Sequence, residues 1–403
     1  MEAFNQRQPY RLSPSALRLF GEVYRTTTDA AGRALITYIL GLSDLFTRAR
    51  GEIGTRYLDD PALLGGYAAY FLPVNFAKVQ LLLNELPEDW AKKTTLSVLD
   101  VGAGPGTASL AVRDWLAGKA CANQAMLRVT AVDHSTSALT EAARLWTVYR
   151  QITGVEQAAL LTSVERIEKL AASDGGRTVS AQAPFDLIIL ANCLNELFHE
   201  ASDAAAQCAA LLERLLSVLK PDGTLIILEP ALRVTARALH QTRDLVLSRG
   251  LCTVYSPCLH DHPCPALVKA DDWCHEERSW DPPAWIAELD REVGFIKDAL
   301  KFSYLLLRKD GRTIVSRRPD VYRVVSELRV FKGEKRAWLC NEMGLSEMGR
   351  LDRKASDSNA DFEAWHRGAI VQIDRIVRKD RGGRPSELGR IAEDSAVQIV
   401  RGA

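Results

Sequence analysis

The chain has 403 residues, 47% of them hydrophobic and 25% charged, which is enough for two or three folded domains. Its 51 Lys and Arg residues balance 51 Asp and Glu residues, so the overall charge favours neither nucleic acid nor a membrane. The N-terminal segment has no apolar signal core, and the apolar run at 34–42 is too short to cross a bilayer. These features predict a cytoplasmic protein with no membrane segment.

Residues 1–95 are predicted to form a helical N-terminal region. Ser13 is a candidate N-cap, and Pro14 suits the first position of the helix that follows. The segment AAYFLPVNFAKVQLLLNEL continues with apolar residues at helical spacing and is broken at Pro73. We therefore expect a helical lead-in to the next domain.

From residue 96 to about 310, short apolar strands alternate with helical segments. The strand candidates are LSVLDV, LRVTAVD, FDLIILA, TLIILEP and, after a further helix, FSYLLLRKDG. This alternation predicts a parallel, Rossmann-like α/β sheet. A cysteine-rich segment at about 250–280 falls late in this domain, where it is expected to be an insertion.

Residues 311–403 are predicted to form a small, mildly basic β domain, in which 19 Lys and Arg residues face 14 Asp and Glu residues. Tyr322, Phe331 and Trp338 are interleaved aromatic residues that could stack on unpaired bases. The alternative is an ordinary solvated face balanced by nearby acids. The candidate phosphate contacts are Arg317, Arg318, Lys332, Lys335, Arg336, Arg375, Arg378, Lys379, Arg381 and Arg384.

A glycine-rich loop, Asp100-Val-Gly-Ala-Gly-Pro-Gly-Thr107, follows the first strand candidate and precedes a helix. Thr107 stands where a dinucleotide-binding fingerprint would have its third glycine. The loop resembles motif I of class I S-adenosylmethionine (SAM) methyltransferases, and the alternative is a βα turn in another Rossmann-like enzyme, such as an NAD enzyme. The resemblance implies that the cofactor-binding residues are Asp100, Gly102, Gly104, Gly106, Asp133 and Asn192.

No residue stands out as a methyl-transfer catalyst. The segment after FDLIIL lacks the DPPY or NPPY motif of enzymes that methylate exocyclic amines of bases. Cys193 lies where a cytosine-C5 enzyme has its nucleophile, but its context, ANCLNE, lacks the expected proline. We therefore predict that Cys193 is a buried small hydrophobe. Asn195 and Glu196 are expected either to floor the site or to cap a helix.

Three cysteines, Cys258, Cys264 and Cys274, lie within eighteen residues that also contain His260, His262 and His275. Their spacing is not the CxxC pattern of a zinc knuckle, while the neighbouring prolines stiffen the backbone around the sulfurs. Three thiolates are one short of a four-cysteine cluster site. The fourth ligand is either Cys252 or Cys340, or a histidine if the metal is zinc.

These motifs together resemble the bacterial and mitochondrial "Rsm" methyltransferase-like family of the small ribosomal subunit. The resemblance rests on AAYFLPVNFAKVQLLL, LDVGAGPGT, ANCLNEL and PCLHDHPCPAL…DWCHEE, with Leu259 standing where the family usually has proline. It implies a 4Fe–4S cluster whose ligands would be Cys258, Cys264, Cys274 and Cys340.

The favoured function is a small ribosomal subunit assembly factor with a SAM-dependent methyltransferase fold, for which rRNA is the candidate methyl acceptor. One alternative is a non-catalytic RNA-binding assembly factor, because no catalytic residue is recognisable. The other is a small-molecule SAM-dependent methyltransferase, for which ANCLNEL would be a suitable floor and the basic C-terminal domain would be superfluous.

Overall fold

The computed structural model describes residues 9–50, 56–119, 125–171, 177–198, 201–295, 299–379 and 386–402. Cys121, Arg381 and Arg384 lie outside these described residues. The N-terminal region is helical, as predicted, and its α-helices are α1 (Pro14–Ala31), α2 (Ala34–Thr47), α3 (Pro61–Gly66) and α4 (Leu72–Leu83).

Local chemistry explains where these helices begin. Pro14 is the first residue of α1, and the Ser13 hydroxyl accepts a hydrogen bond from the Ala16 backbone nitrogen at 3.0 Å, which confirms the predicted cap. A π-helical segment, Tyr67–Phe71, separates α3 from α4. Pro73 therefore falls in the first turn of α4, where its missing N–H leaves no helical hydrogen bond unmade.

The central domain is built on an eight-stranded sheet in the described part of the chain. Its order is β3-β2-β1-β4-β5-β8-β6, with β7 paired to β8. Strands β1 to β5 are parallel, whereas β8 is antiparallel to its neighbours β5 and β6. The strands are β1 (Thr95–Val101), β2 (Met126–Asp133), β3 (Ala158–Val164), β4 (Phe185–Ala191), β5 (Leu219–Pro230), β6 (Thr253–Ser256), β7 (Glu276–Ser279) and β8 (Ala299–Arg308).

This sheet has the class I methyltransferase fold, in agreement with the sequence prediction. Alternate residues of β4 enter two different cores, with Leu187 and Ile189 on one face and Ile188 and Leu190 on the other. The N-terminal helices cover the first face, and α8 and α9 cover the second. The remaining helices are α5 (Thr107–Ala117), α6 (Thr136–Thr153), α7 (Arg177–Gln182), α8 (Ala204–Val218), α9 (Arg233–Ser248) and α10 (Ala284–Val293).

The cysteine-rich segment connects β6 to β7, two strands of the central sheet. The C-terminal region is a second eight-stranded sheet in the described residues, ordered β14-β15-β12-β11-β9-β13-β16, with β10 paired to β11. Its strands are β9 (Val321–Val324), β10 (Arg329–Phe331), β11 (Glu334–Asn341), β12 (Gly344–Leu351), β13 (Ile370–Ile373), β14 (Ile376–Val377), β15 (Gly389–Ile391) and β16 (Val397–Arg401).

A buried set of charged residues, the interdomain ion cluster, joins the three regions; it consists of Glu85, Glu276, Arg278 and Arg323. Arg323 of the C-terminal sheet donates to Glu276 at 2.9 Å and to the Tyr304 hydroxyl of the central sheet at 2.7 Å. Arg278 bonds Glu85, which follows α4, at 3.2 Å. Because each charge has an opposite partner, the cluster fixes the C-terminal sheet against the central domain.

Candidate functional site

The first candidate site is the glycine-loop cavity, a space of about 290 Å³ at the carboxyl ends of β1, β2 and β4. Five of the six predicted cofactor residues line it: Asp100, Gly102, Gly104, Asp133 and Asn192. Gly106 is not among the described lining residues. A Cβ at Gly106 would lie 3.0 Å from the Ala142 Cβ, so this glycine permits close packing of the loop on α6.

Gly102 requires a glycine for two independent reasons. Its φ of +70° lies in the left-handed region that L side chains rarely adopt. A Cβ there would also lie 2.6 Å from the Cβ of Cys193. The loop therefore passes directly beside the segment that follows β4, and the two segments form one wall.

The two predicted carboxylates hold the loop in shape. Asp133 Oδ2 accepts a hydrogen bond from the Gly104 nitrogen at 2.8 Å, and Oδ1 accepts one from the Ser135 nitrogen at 2.8 Å. Asp100 Oδ2 accepts from both the nitrogen and the hydroxyl of Ser109, at 2.8 and 2.6 Å. Since an ionised carboxylate has about four acceptor positions, Asp133 retains capacity for ligand hydroxyls.

Asn192 presents an unsatisfied donor. Its φ of +58° is unusual for a residue other than glycine, and its backbone nitrogen donates to the Leu228 carbonyl at 2.7 Å. The side-chain amide nitrogen is buried and has no hydrogen-bond partner within the described residues. A buried amide without a partner is costly, so this group is suited to donate to a bound ligand.

The cavity also contains acids whose protonation is shifted. Burial raises the pKa of Asp100 to about 6, against the hydrogen bonds from Ser109. Burial raises the pKa of Glu196 to about 7, with the Arg50 guanidinium opposing the shift. Glu229 lies behind the loop after β4 and accepts from the Leu194 nitrogen at 3.0 Å, and burial raises its pKa to about 8. A cationic ligand would favour the ionised form of each.

Sequence reasoning missed the contribution of the N-terminal region to this cavity. Tyr57 and Tyr67 line it, and Arg50 donates to the Asn195 carbonyl at 3.1 Å. It also missed Glu229, although an acid at the end of the apolar strand TLIILEP was a detectable signal. Tyrosines in a helical lead-in carry no such signal.

Cys193 is a buried thiol, which confirms its predicted structural role. It is 8% exposed and its Sγ–H donates to the Val101 carbonyl at 3.2 Å. Burial, followed by the nearby Glu229 and Glu196 carboxylates, raises its pKa well above the ordinary value. A thiol held in its neutral form is a poor nucleophile.

The second candidate site is the cysteine cavity, a space of about 560 Å³ lined by all four predicted metal ligands: Cys258, Cys264, Cys274 and Cys340. Three belong to the loop between β6 and β7, and Cys340 lies on β11 of the C-terminal sheet. Burial raises the pKa of Cys340 well above its ordinary value, and the other three thiols add to the shift. The fold therefore brings cysteines of two sheet regions to one cavity.

Of the competing ligands, Cys252 lies elsewhere and two histidines line the cavity. Cys252 is not among the described residues that line the cysteine cavity and instead packs against the core beneath α8 and α9. His260 and His275 do line the cavity, and the His260 Nε2 lies 3.6 Å from the Cys340 Sγ. Over the described ranges, no three His, Cys, Asp or Glu side chains form a group that could hold a single metal ion.

Helix α9 holds the cysteine loop in place through two arginines that the sequence analysis did not single out, Arg237 and Arg243. Arg237 donates to the carbonyls of Ala266, Lys269 and Asp272 at 3.0, 2.8 and 2.7 Å. His240 of the same helix contacts the Cys274 carbonyl at 3.2 Å. These hydrogen bonds tie the backbone of the cysteine loop to α9.

Five of the ten predicted basic residues in the C-terminal region form ion pairs with acids. Arg317 pairs with Asp261 at 2.7 Å, and Arg318 pairs with Asp320 at 2.8 Å. Ion pairs also engage Lys335, Arg336 and Arg375, and Arg378 donates to backbone carbonyls. Lys332 and Lys379 are exposed. Contact of these residues with phosphate stays a prediction, and the alternative of a face balanced by acids applies to the five residues that form ion pairs.

The predicted aromatic residues differ in their exposure. Phe331 is 43% exposed, whereas Tyr322 and Trp338 are half-buried. Trp338 lines the cysteine cavity.

None of the described helices combines the length and apolar character that a membrane crossing requires. The cytoplasmic location stays a prediction.

Comparison with solved structures finds distant methyltransferase chains. The N-methyltransferase NodS from Bradyrhizobium japonicum, solved with S-adenosyl-L-homocysteine, has 12% identity and a TM-score of 0.33, covering 59% of this chain and 88% of its own. An O-methyltransferase family protein from Burkholderia thailandensis has 14% identity and a TM-score of 0.34, covering 73% of each chain. NSun6 from Pyrococcus horikoshii has 16% identity and a TM-score of 0.33, covering 59% and 51%. At this distance, their chemistry does not transfer to this chain.

No curated protein matches the chain by sequence. A family model does match, over residues 63–354, which include the glycine loop and all four cysteines of the cysteine cavity. The chain therefore belongs to the family described as mitochondrial small ribosomal subunit Rsm22.

Proposed function

We propose that this protein is a small ribosomal subunit assembly factor that binds SAM in the glycine-loop cavity and a 4Fe–4S cluster in the cysteine cavity. The observation that carries the proposal is the convergence of four cysteines from two separate domains on one cavity. The family description supplies the partner, the small ribosomal subunit.

SAM fits the glycine-loop cavity on three grounds. Asp133 ends β2 with acceptor capacity to spare for ribose hydroxyls, and Asn192 offers a buried donor without a protein partner. The acids Asp100 and Glu196 complement a ligand that carries a sulfonium and an ammonium group. When bound, SAM would supply an electrophilic methyl group, and rRNA is the proposed acceptor. The neutral Cys193 thiol argues against a cysteine nucleophile.

A cluster fits the cysteine cavity because four thiolates complete the ligand set of a 4Fe–4S centre. Zinc held by three of these cysteines and a histidine is the alternative, since His260 also lines the cavity. Prolines beside Cys258 and Cys264 limit the backbone freedom lost on binding.

We further propose the division of the chain into a helical region (1–95), a methyltransferase-like domain (96–310) and a C-terminal β domain (311–403). With Cys340 as a ligand, the cluster would link the last two domains and would contribute to their folding. The interdomain ion cluster makes a second connection at the same junction. Together they would present one rigid surface to the ribosomal particle.

Sedimentation of the protein with ribosomal particles tests the function. We expect the wild-type chain to travel with small subunits on a sucrose gradient, and a Cys264→Ser variant to remain in the light fractions. Asp133→Asn should reduce SAM binding but should leave co-sedimentation intact if SAM has no structural role. A wild-type protein that binds SAM yet never travels with small subunits would favour a small-molecule methyltransferase instead.

A further inference from the structure

We infer that Arg243 of α9 is a positioning and charge-compensating residue for the group in the cysteine cavity. This inference rests on the cluster proposed above and assigns a role to a residue that is not itself a ligand. Arg243 would hold the segment between Cys258 and Cys264 in place. It would also offset the negative charge of the thiolate-bound cluster.

The burial of Arg243 requires an explanation. Its side chain is 0% exposed, and it is one of the largest fully buried side chains among the described residues. Burying a guanidinium is costly unless anionic partners surround it. Among the described residues its ion pair is with the adjacent Asp244, which is 22% exposed and also accepts a hydrogen bond from the Cys264 nitrogen at 2.9 Å. One shared carboxylate is modest compensation for a fully buried cation.

The hydrogen bonds of Arg243 point to the cysteine loop. Its guanidinium donates to the His260 carbonyl at 2.7 Å and to the His262 carbonyl at 2.8 Å, both between Cys258 and Cys264. The Nε–H is buried and has no hydrogen-bond partner in the described part of the chain. The arginine therefore shapes this segment and retains one buried donor.

The same guanidinium lies against the segment that joins two of the proposed ligands, Cys258 and Cys264. It bonds two carbonyls of that segment, and the Asp244 carboxylate that pairs with it also accepts from the Cys264 nitrogen. A group bound by four thiolates carries net negative charge, and cations or hydrogen bonds near the sulfurs raise its reduction potential. The missing anionic partner of Arg243 is thus the cluster itself.

Arg237 provides a matched control on the same helix. It also donates to several loop carbonyls, but these follow Cys264, and it is only half-buried. Removing Arg237 should loosen the loop, whereas removing Arg243 should also change the charge that the cluster experiences.

The experiment compares anaerobically purified wild-type protein with Arg243→Gln, Arg243→Lys and Arg237→Gln, using iron and sulfide per chain and the cluster reduction potential as readouts. We expect Arg243→Gln to have a more negative potential and lower iron content. Arg243→Lys should keep a near wild-type potential with lower iron content, because it retains the charge but loses the paired carbonyl contacts. Arg237→Gln should keep the wild-type potential.

Wild-type potential and iron content in Arg243→Gln would overturn the inference while leaving the cluster in place. If Arg243→Gln does not fold, the Arg243→Lys variant decides. Full iron content in that variant would refute the positioning role. A reduction potential clearly more negative than that of the wild-type protein would refute charge compensation, because lysine keeps the positive charge. A wild-type protein with no iron and no sulfide would instead overturn the proposed cluster, and the role of Arg243 with it.

Discussion

The two cavities of this protein are built in different ways. The glycine-loop cavity is formed mainly by loops that follow neighbouring parallel strands, so short motifs in the sequence mark its walls. The cysteine cavity joins an insertion between β6 and β7 to a strand of a separate sheet, with Cys340 lying 66 residues after Cys274. The first site depends on local backbone geometry, whereas the second depends on how two domains are held together.

The largest expected effect comes from removing the ligand that only the second domain supplies. Cys340→Ser should remove most of the iron, because three thiolates leave one corner of the cluster without a protein ligand. It should also expose the C-terminal sheet to limited proteolysis. Cys252→Ser is the matched control, since Cys252 is half-buried and is not among the described lining residues of the cysteine cavity. Equal iron content in the two variants would contradict the domain-bridging role.

The interdomain ion cluster should dominate stability at the same junction. Arg323→Ala leaves Glu276 and Glu85 short of a buried partner and should lower the free energy of unfolding by about 3–5 kcal/mol. Arg318→Ala removes a pair whose arginine is 49% exposed and should cost only about 0–1 kcal/mol. Denaturant titration measures both, and similar losses would mean that the cluster does not fix the domains.

Local geometry should dominate the glycine-loop cavity. Gly102→Ala places a Cβ in the left-handed region and 2.6 Å from Cys193, so the loop must move. SAM affinity should fall about tenfold or more, since the backbone strain alone costs about 1–2 kcal/mol. Gly154→Ala is the control, because that residue has a similar φ of +67° with nothing within 4 Å. Calorimetric titration should find SAM affinity unchanged in the control.

The smallest effect is a pH dependence. The raised pKa values of Asp100 and Glu196, about 6 and 7, mean that both acids gain charge as the pH rises towards 8. Ionised acids attract the sulfonium of SAM but not the neutral sulfur of S-adenosylhomocysteine, which shares the amino-acid group. The ratio of SAM to S-adenosylhomocysteine affinity should therefore rise from pH 6 to pH 8, by roughly fivefold if about 1 kcal/mol of attraction is gained.

Glu196→Gln should flatten this pH profile, because its side chain cannot ionise. An affinity ratio that stays constant or falls with rising pH in the wild-type protein would contradict charge recognition in the glycine-loop cavity. Binding in the cysteine cavity differs from SAM binding in this respect. The proposed cluster depends on thiolate ligands and on the alignment of two sheets.

Residues that lie close together in sequence were the most predictable. The N-cap of α1 and the strands LSVLDV and FDLIILA follow local patterns. Strand β3 was not predicted, because its burial pattern is mixed at the edge of the sheet. The segment VYRVVSELRVF contains two separate strands, β9 and β10. Each of them pairs with a different part of β11.

Features that depend on distant partners were not predictable. The acids that pair with Arg317, Lys335 and Arg375 lie 56, 28 and 19 residues away, so the sequence could not show which acid pairs with which base. Arg243 resembles any other helical arginine in the sequence. Only the fold reveals that it is fully buried beside two cysteines.

The most direct test of the central claim is the iron, acid-labile sulfide and zinc content of the anaerobically purified wild-type protein. The account predicts about four irons and four sulfides per chain, with visible absorption that disappears on exposure to an iron chelator. One zinc ion per chain without sulfide would contradict it and would make the cysteine cavity a plain structural metal site.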